Sequence, residues 1–183
     1  PDRAYRNVMP GDSIQFRFVA RVPGAFMYHC GTAPVASHIA NGMYGALIVD
    51  PRAGRAPAQE YVLVQSEFYL SPPAGPYSTR SIDWSKVLDA FPDYVVFNGV
   101  ASRYSTNPIP VVPRKPIRMF VVNAGPNRIS SFHVVGAIFD RVLADGFGRP
   151  FEGMQTWNVP VGGGAVFEFA LREDGFYPFV THA

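Results

Sequence analysis

One short segment, residues 29–43, carries most of the side chains that could do chemistry. It contains the only cysteine of the chain, Cys30, two of the four histidines, His29 and His38, and the methionine Met43. A thiolate, an imidazole and a thioether are three of the four ligands of a blue-copper site, which lacks here only a second imidazole. Each of these residue types alone is more often structural than a ligand. Their convergence in one loop after a strand predicts a copper site.

His29 is predicted to act separately from Cys30. The two residues are adjacent on a predicted strand, so their side chains should point to opposite faces. His29 is therefore free to bind something else on the other side of the same strand.

Composition favours an all-β protein. The chain has 183 residues, of which 48% are hydrophobic and 14% aromatic, so a sizeable core is available. Its 18 prolines and 17 glycines are spread between apolar runs, which is typical of many turns rather than of disorder. The net charge of +2 is too small to argue for a nucleic-acid partner. A single cysteine excludes an internal disulfide.

The first predicted unit covers residues 1–55. Alternation over Ser13–Ala20 predicts a half-buried strand that pairs as a hairpin with Ala25–Cys30. A buried strand follows at Gly45–Asp50. The stretch Pro51–Ala58 has no periodicity, and we place a domain boundary within it.

The second predicted unit covers residues 56–183. One short helix is expected at Trp84–Phe91, where apolar residues follow helical spacing and Asp83 or Ser81 could cap it. Prolines keep Ile109–Pro116 extended. The predicted strands are Tyr61–Val64, Tyr94–Phe97, Ile117–Asn123, Ser131–Val135, Asp140–Leu143, Ala165–Leu171 and Phe176–Thr181.

Matching intervals between residues predict an internal repeat that relates the two units. Phe16-Arg17-Phe18 is followed at Gly24 by a strand ending in His29-Cys30, and Phe167-Glu168-Phe169 is followed at Gly175 by a strand ending in His182-Ala183. The interval from phenylalanine to glycine is the same in both. This match predicts two copies of one hairpin, each delivering a histidine at the same place.

Several segments spread over nearly the whole chain resemble one known protein family. The segment from His29-Cys30 through His38 to Met43-Tyr44-Gly45 resembles the type 1 copper loop of copper-containing nitrite reductases, most of all the branch typified by the outer-membrane enzymes of Neisseria. Residues 94–99, 130–140 and 177–182 agree with that family. The resemblance implies an all-β fold of tandem cupredoxin-like Greek-key sandwiches, the first incomplete, with one short helix in the second.

The resemblance also implies two copper sites and a set of active-site residues. Cys30, His38 and Met43 correspond to type 1 ligands, whereas His29 and His182 correspond to type 2 ligands, His182 reaching across a subunit interface. His133 matches a histidine that handles protons without binding copper. Beside it, Thr156 matches a residue that positions this histidine, and Val135 matches one that lines the pocket.

The implied activity is the reduction of nitrite to nitric oxide. Electrons would enter at the type 1 copper and pass through His29-Cys30 to the type 2 copper. The expected partners are nitrite, a small donor protein (a cupredoxin or a cytochrome c) and two further copies in a homotrimer, with no nucleic acid. The expected location is periplasmic or at the cell surface. No histidine precedes His29, so the remaining ligands and the catalytic aspartate of the family are expected upstream, in a longer parent protein.

Three other readings stay open. A laccase-type multicopper oxidase would carry His-Cys-His, but Gly31 follows Cys30 and four histidines are too few for a trinuclear cluster. An electron-carrier cupredoxin would leave His29, His133 and His182 structural. A third reading is a domain of the same family whose type 2 site has decayed.

Overall fold

The chain folds almost entirely into β-strands. The structure is a computed structural model that describes residues 6–182, and the predicted mainly-β class is confirmed. Between those residues it contains eleven strands and three short helices. The elements are β1 (Gly24–His29), α1 (Val35–Ala40), β2 (Tyr44–Val49), β3 (Gln59–Phe68), α2 (Trp84–Leu88), β4 (Tyr94–Phe97), α3 (Arg103–Thr106), β5 (Ile117–Asn123), β6 (Ser130–Val134), β7 (Phe139–Ala144), β8 (Phe151–Met154), β9 (Thr156–Val159), β10 (Gly164–Phe169) and β11 (Phe179–Thr181).

Two sheets form a sandwich. The larger sheet has six strands in the order β4-β3-β5-β10-β7-β8, and the smaller has three in the order β11-β6-β9. Only the β3–β5 pair is parallel among the strand pairs of the described chain. The main core lies between the sheets, where Phe132 of β6 packs against Phe167 of β10 and Phe139 of β7.

Strand β5 is buried on both faces, which explains its apolar residues Ile117 and Met119–Val122. Its odd-numbered residues, such as Val121, join the main core, and Phe120 and Val122 form a second core on the other side. Arg118 is tolerated there because its guanidinium pairs with Glu60 and Glu168.

The second core is made with a two-stranded hairpin. Strands β1 and β2 pair antiparallel, with Ala25 opposite Ile48 and Met27 opposite Ala46. These four side chains pack on the outer face of the six-stranded sheet. The hairpin that carries the predicted copper loop is therefore fixed to the two-sheet sandwich by apolar burial.

The expected strand at Ser13–Ala20 is wrong. These residues form no strand and are exposed, with Phe16 47% and Phe18 65% accessible. A strand needs a hydrogen-bonded neighbour, and within residues 6–182 the partner expected for it, β1, pairs with β2 instead. The predicted hairpin of Ser13–Ala20 with Ala25–Cys30 is replaced by β1–β2.

The predicted repeat of hairpins is also wrong. β10 lies in the six-stranded sheet between β5 and β7, whereas β11 pairs with β6 in the three-stranded sheet. The two strands that follow each other in sequence thus face each other across the sandwich instead of pairing edge to edge. The matching Phe-to-Gly intervals reflect no common hairpin.

The single predicted helix is confirmed at α2, but α1 and α3 were not expected. Asp83 caps α2, accepting hydrogen bonds from the amides of Ser85 and Lys86. The bond from the Ser85 hydroxyl, followed by the bond from the Lys86 amide, holds the pKa of the Asp83 carboxyl below its usual value. Strands β8 and β9 were likewise missed.

No helix in residues 6–182 has the length and apolar character needed to cross a membrane. The domain boundary near residue 55 stays a prediction.

Candidate metal centre

The segment between β1 and β2 brings three predicted ligands together. The Cys30 amide donates to the Met43 carbonyl at 3.0 Å, and the Met43 amide donates to the His38 carbonyl at 3.0 Å. Two of the three side chains also meet, because Nδ1 of His38 lies 3.3 Å from Sδ of Met43. Cys30, His38 and Met43 are thus neighbours around one loop, as the sequence predicted.

Helix α1 sets the position of His38. It begins after Pro34, and its last turn contains His38. Asn41 closes the helix by donating from Nδ2 to the Ser37 carbonyl at 2.8 Å. Gly42 follows with φ +92°, a left-handed conformation that suits glycine and returns the chain to β2. Pro34 and Asn41-Gly42 at the two ends were the signal that could have predicted this helix.

His29 lies on the opposite face of the hairpin from Cys30, as expected. It pairs with Tyr44 and continues the row of Ala25 and Met27, which faces the six-stranded sheet. Nδ1 of His29 is 2.8 Å from the Cys30 carbonyl oxygen. A carbonyl only accepts, so Nδ1 is the donor in this bond and Nε2 is the ring nitrogen left for another partner.

A second group of predicted residues forms on the three-stranded sheet. His133 of β6 lies opposite Thr156 of β9 on one side and Val180 of β11 on the other. His182 follows β11, and its amide donates to the Ser131 carbonyl at 3.1 Å. The rings of His133 and His182 come to 5.7 Å between centroids.

The ring of His133 is held from one side. Its Nδ1 lies 2.5 Å from the Gln155 carbonyl oxygen and 3.3 Å from the Thr156 hydroxyl. Nδ1 therefore carries a proton that it donates to Gln155, which leaves Nε2 for a reacting group. Val135 follows β6 and is 45% exposed, and its backbone amide donates a hydrogen bond to the Pro178 carbonyl oxygen.

The two groups stay apart within one chain. His29 belongs to the two-stranded hairpin, and His133 and His182 belong to the three-stranded sheet. Among residues 6–182, no three His, Cys, Asp or Glu side chains are placed so that they could hold a metal ion together.

Comparison with known proteins identifies the family. The "Multicopper oxidase" profile matches residues 2–53. Over 176 residues, 95% of this chain, the sequence is 42% identical to the copper-containing nitrite reductase of Neisseria gonorrhoeae. The solved copper nitrite reductase from Nitrosomonas europaea superposes on 98% of this chain with a TM-score of 0.82 and 32% identity. The match covers 64% of the Nitrosomonas chain. The chain belongs to the copper-containing nitrite reductase family.

Similarity extends beyond one branch of this family. The copper-containing nitrite reductase from Thermus scotoductus superposes on 97% of the chain with a TM-score of 0.84 and 34% identity. The chain spans about half the length of the curated relatives it matches, 45% in the case of the Neisseria gonorrhoeae protein. The relatives named here are bacterial enzymes, and the resemblance to the Neisseria branch is confirmed.

The donor atoms around Cys30 fit the copper of this family. Cysteine thiolate and methionine thioether are soft ligands that favour copper, and an imidazole nitrogen completes the set available here. Sδ of Met43 and Nδ1 of His38 already face each other, so both donors are directed at one place. His29 fits a second copper through Nε2, since Nδ1 is occupied by the Cys30 carbonyl.

A buried polar cluster, missed from the sequence, holds the loop that leads into β6. The Glu67 carboxylate is 1% exposed and accepts from the amides of Asn127 and Arg128 and from the Tyr69 hydroxyl. Burial, followed by the bond to Glu67, raises the pKa of Tyr69. The signal was a glutamate in the buried second half of strand β3, where an unpaired carboxylate would be costly.

Proposed function

We propose that this chain is part of a copper-dependent enzyme that reduces nitrite to nitric oxide. The reaction takes up one electron and two protons and releases water. The observation that carries the proposal is that the rings of His133 and His182 lie 5.7 Å apart between centroids, with His133 oriented by the Gln155 carbonyl. That arrangement places a proton-transferring imidazole beside a second imidazole that has the chemistry of a metal ligand.

Cys30, His38 and Met43 are proposed to hold the type 1 copper, and His29 and His182 the type 2 copper. His182 is proposed to come from a neighbouring subunit of a homotrimer. When bound, the two coppers supply one-electron transfer and an open coordination position for an anion. His29 and Cys30 are joined by one peptide unit, so this dipeptide links donor sets on opposite faces of the hairpin.

His133 is proposed to deliver protons to the substrate. Its Nδ1 is held by Gln155, so the ring presents Nε2 in a fixed orientation. An imidazole is the side chain best suited to give and regain a proton in neutral solution. Thr156 is proposed to limit the rotation of this ring, and Val135 to line the pocket.

The wider context follows from the same family. We propose that residues 1–55 complete a first cupredoxin domain and that residues 56–183 form a second. The electron donor is proposed to be a small cupredoxin or cytochrome c. The location is proposed to be the periplasm or the cell surface, where the enzyme would take part in denitrification.

The proposal is tested by His133→Ala in the full-length protein. Nitrite turnover should fall by about two orders of magnitude or more, the usual contribution of a general acid–base residue. The blue absorption should stay, because Cys30, His38 and Met43 lie on a different hairpin. Nitric oxide production and the visible spectrum are measured on the same samples.

Ser131→Ala is the matched control. Ser131 lies on β6, two residues before His133, but its hydroxyl bonds Asn158 instead of a histidine. Turnover close to that of the unmodified protein is expected. Full nitrite turnover in His133→Ala would show that His133 does not deliver protons and would overturn the assigned mechanism.

A further inference from the structure

The copper-loop hairpin, β1 with β2, contacts the two-sheet sandwich through an apolar face that ends in a polar contact. Ala25 and Met27 of β1 and Ala46 and Ile48 of β2 pack on β5 and β10. The next cross-strand pair along this face is His29 with Tyr44. The face therefore changes from apolar to polar at the residue that precedes Cys30.

Tyr44 makes the polar contact. Its hydroxyl donates to Oγ of Ser66 at 2.5 Å, and Ser66 lies on β3 of the six-stranded sheet, 1% exposed. Val64, two residues earlier on the same strand, belongs to the apolar contact with the hairpin. Ser66 is buried with Tyr44 in place, so the hydrogen bond from Tyr44 satisfies a hydroxyl that the sheet otherwise encloses.

We propose that Tyr44 and Ser66 form a positioning pair that fixes the His29-Cys30 dipeptide against the two-sheet sandwich. Beyond this contact the hairpin leads directly into the copper loop, where the Cys30 amide bonds the Met43 carbonyl. Without the pair, the apolar packing would still hold the hairpin at Ala25 and Met27, but its far end could move. The proposal rests on the proposed function, in which His29 is a ligand of the type 2 copper.

The position of the hairpin end matters more for His29 than for Cys30, His38 and Met43, the proposed blue-copper ligands. Cys30, His38 and Met43 belong to one loop and would move together. His29 has to meet a ligand that the same loop does not carry, so a shift of the hairpin end changes its distance to that ligand. Three of the four blue-copper ligands keep their mutual distances, so the pair should affect the second copper more than the blue copper.

The test uses Tyr44→Phe, Ser66→Ala and the double variant in the full-length protein. Tyr28→Phe is the matched control, since Tyr28 lies on the other face of β1 and is 60% exposed. In metal-free protein, Tyr44→Phe should speed hydrogen exchange at the Cys30 amide by about 3- to 10-fold, the effect of one lost hydrogen bond. In copper-loaded protein, the dissociation constant of the colourless copper should rise by a similar factor, with a changed electron paramagnetic resonance spectrum.

The double variant decides whether the two residues act together. Effects of Tyr44→Phe and Ser66→Ala that are not additive in the double variant support a coupled pair. Unchanged exchange at Cys30 and an unchanged second-copper spectrum in Tyr44→Phe would overturn the proposal, even if the melting temperature fell. A full-length protein that holds one copper per chain would overturn the proposed function, and the exchange data from metal-free protein would still decide the role of the pair.

Discussion

At the scale of single residues, the histidines differ in what their Nδ1 atoms face. In His29 and His133, Nδ1 faces a backbone carbonyl oxygen and must carry a proton. In His38, Nδ1 faces the sulfur of Met43. The backbone therefore leaves Nε2 of His29 and His133 available to another partner, whereas Nδ1 of His38 faces the Met43 sulfur.

Thr156 should have a modest effect on turnover. Its hydroxyl is 3.3 Å from Nδ1 of His133, whereas the Gln155 carbonyl is at 2.5 Å, so the carbonyl dominates the orientation of the ring. Thr156→Val keeps the shape and removes the hydroxyl. We expect kcat to fall by about 2- to 10-fold, because one weak hydrogen bond is lost.

The measurement for Thr156→Val is kcat and KM for nitrite as a function of pH. A positioning role predicts a lower kcat with the apparent pKa of the profile displaced, since the surroundings of His133 have changed. Thr156→Ser, which retains the hydroxyl, is the control. A loss as large as that of His133→Ala would contradict a positioning role and point to direct contact with the reacting atoms.

At the scale of elements, the hairpin depends on a close approach between β1 and β10. A Cβ atom on Gly164, the first residue of β10, would collide with the backbone carbonyl of Ala25. Backbone cannot move aside as a flexible side chain can. Gly164 is therefore required by the packing of the two strands and not by its own conformation.

Gly164→Ala should loosen the copper-loop hairpin. Overpacking of this kind costs about 1–3 kcal/mol of folding free energy. The loss should appear in chemical unfolding and in a weaker blue absorption at a given copper concentration. Gly75→Ala is the control, because a Cβ at Gly75 meets nothing within 4 Å. Equal stability of the two variants would show that the sheet accommodates the methyl group.

How far the sequence predicted the fold depended on where each pattern found its partners. The strands β5 and β10 and the helix α2 were predicted because apolar periodicity and capping are local signals. Ser13–Ala20 has the same alternation but no partner strand within the described residues. Sheet membership of β10 and β11 is set by the sandwich and cannot be derived from their closeness in sequence.

The candidate site followed the same rule. Residue type and spacing identified Cys30, His38 and Met43, since all three lie in one loop. The contact between His133 and Thr156 depends on the register of β6 with β9, and only the family resemblance pointed to it because β9 was not predicted. The buried carboxylate of Glu67 and the pair of Tyr44 with Ser66 join distant segments, which no local pattern reveals.

At the scale of the whole molecule, the proposed type 2 site divides between subunits. His29 lies on the hairpin and His182 at the end of the three-stranded sheet. The proposed homotrimer would bring His29 of one copy to His182 of the next. This division makes the arrangement testable by mixing variants, without a structure of the assembly.

Full-length His29→Ala and His182→Ala should each lose nitrite turnover when purified alone. After the two are mixed in equal amounts, dissociated and reassembled, some interfaces combine an intact His29 from one variant with an intact His182 from the other. Random assembly gives about a quarter of all interfaces this composition, so turnover should recover to about a quarter of the unmodified level. A mixture without reassembly is the control and should stay inactive. If both histidines served the same site from one chain, no reassembled interface would be complete, and absence of recovery would overturn the shared site.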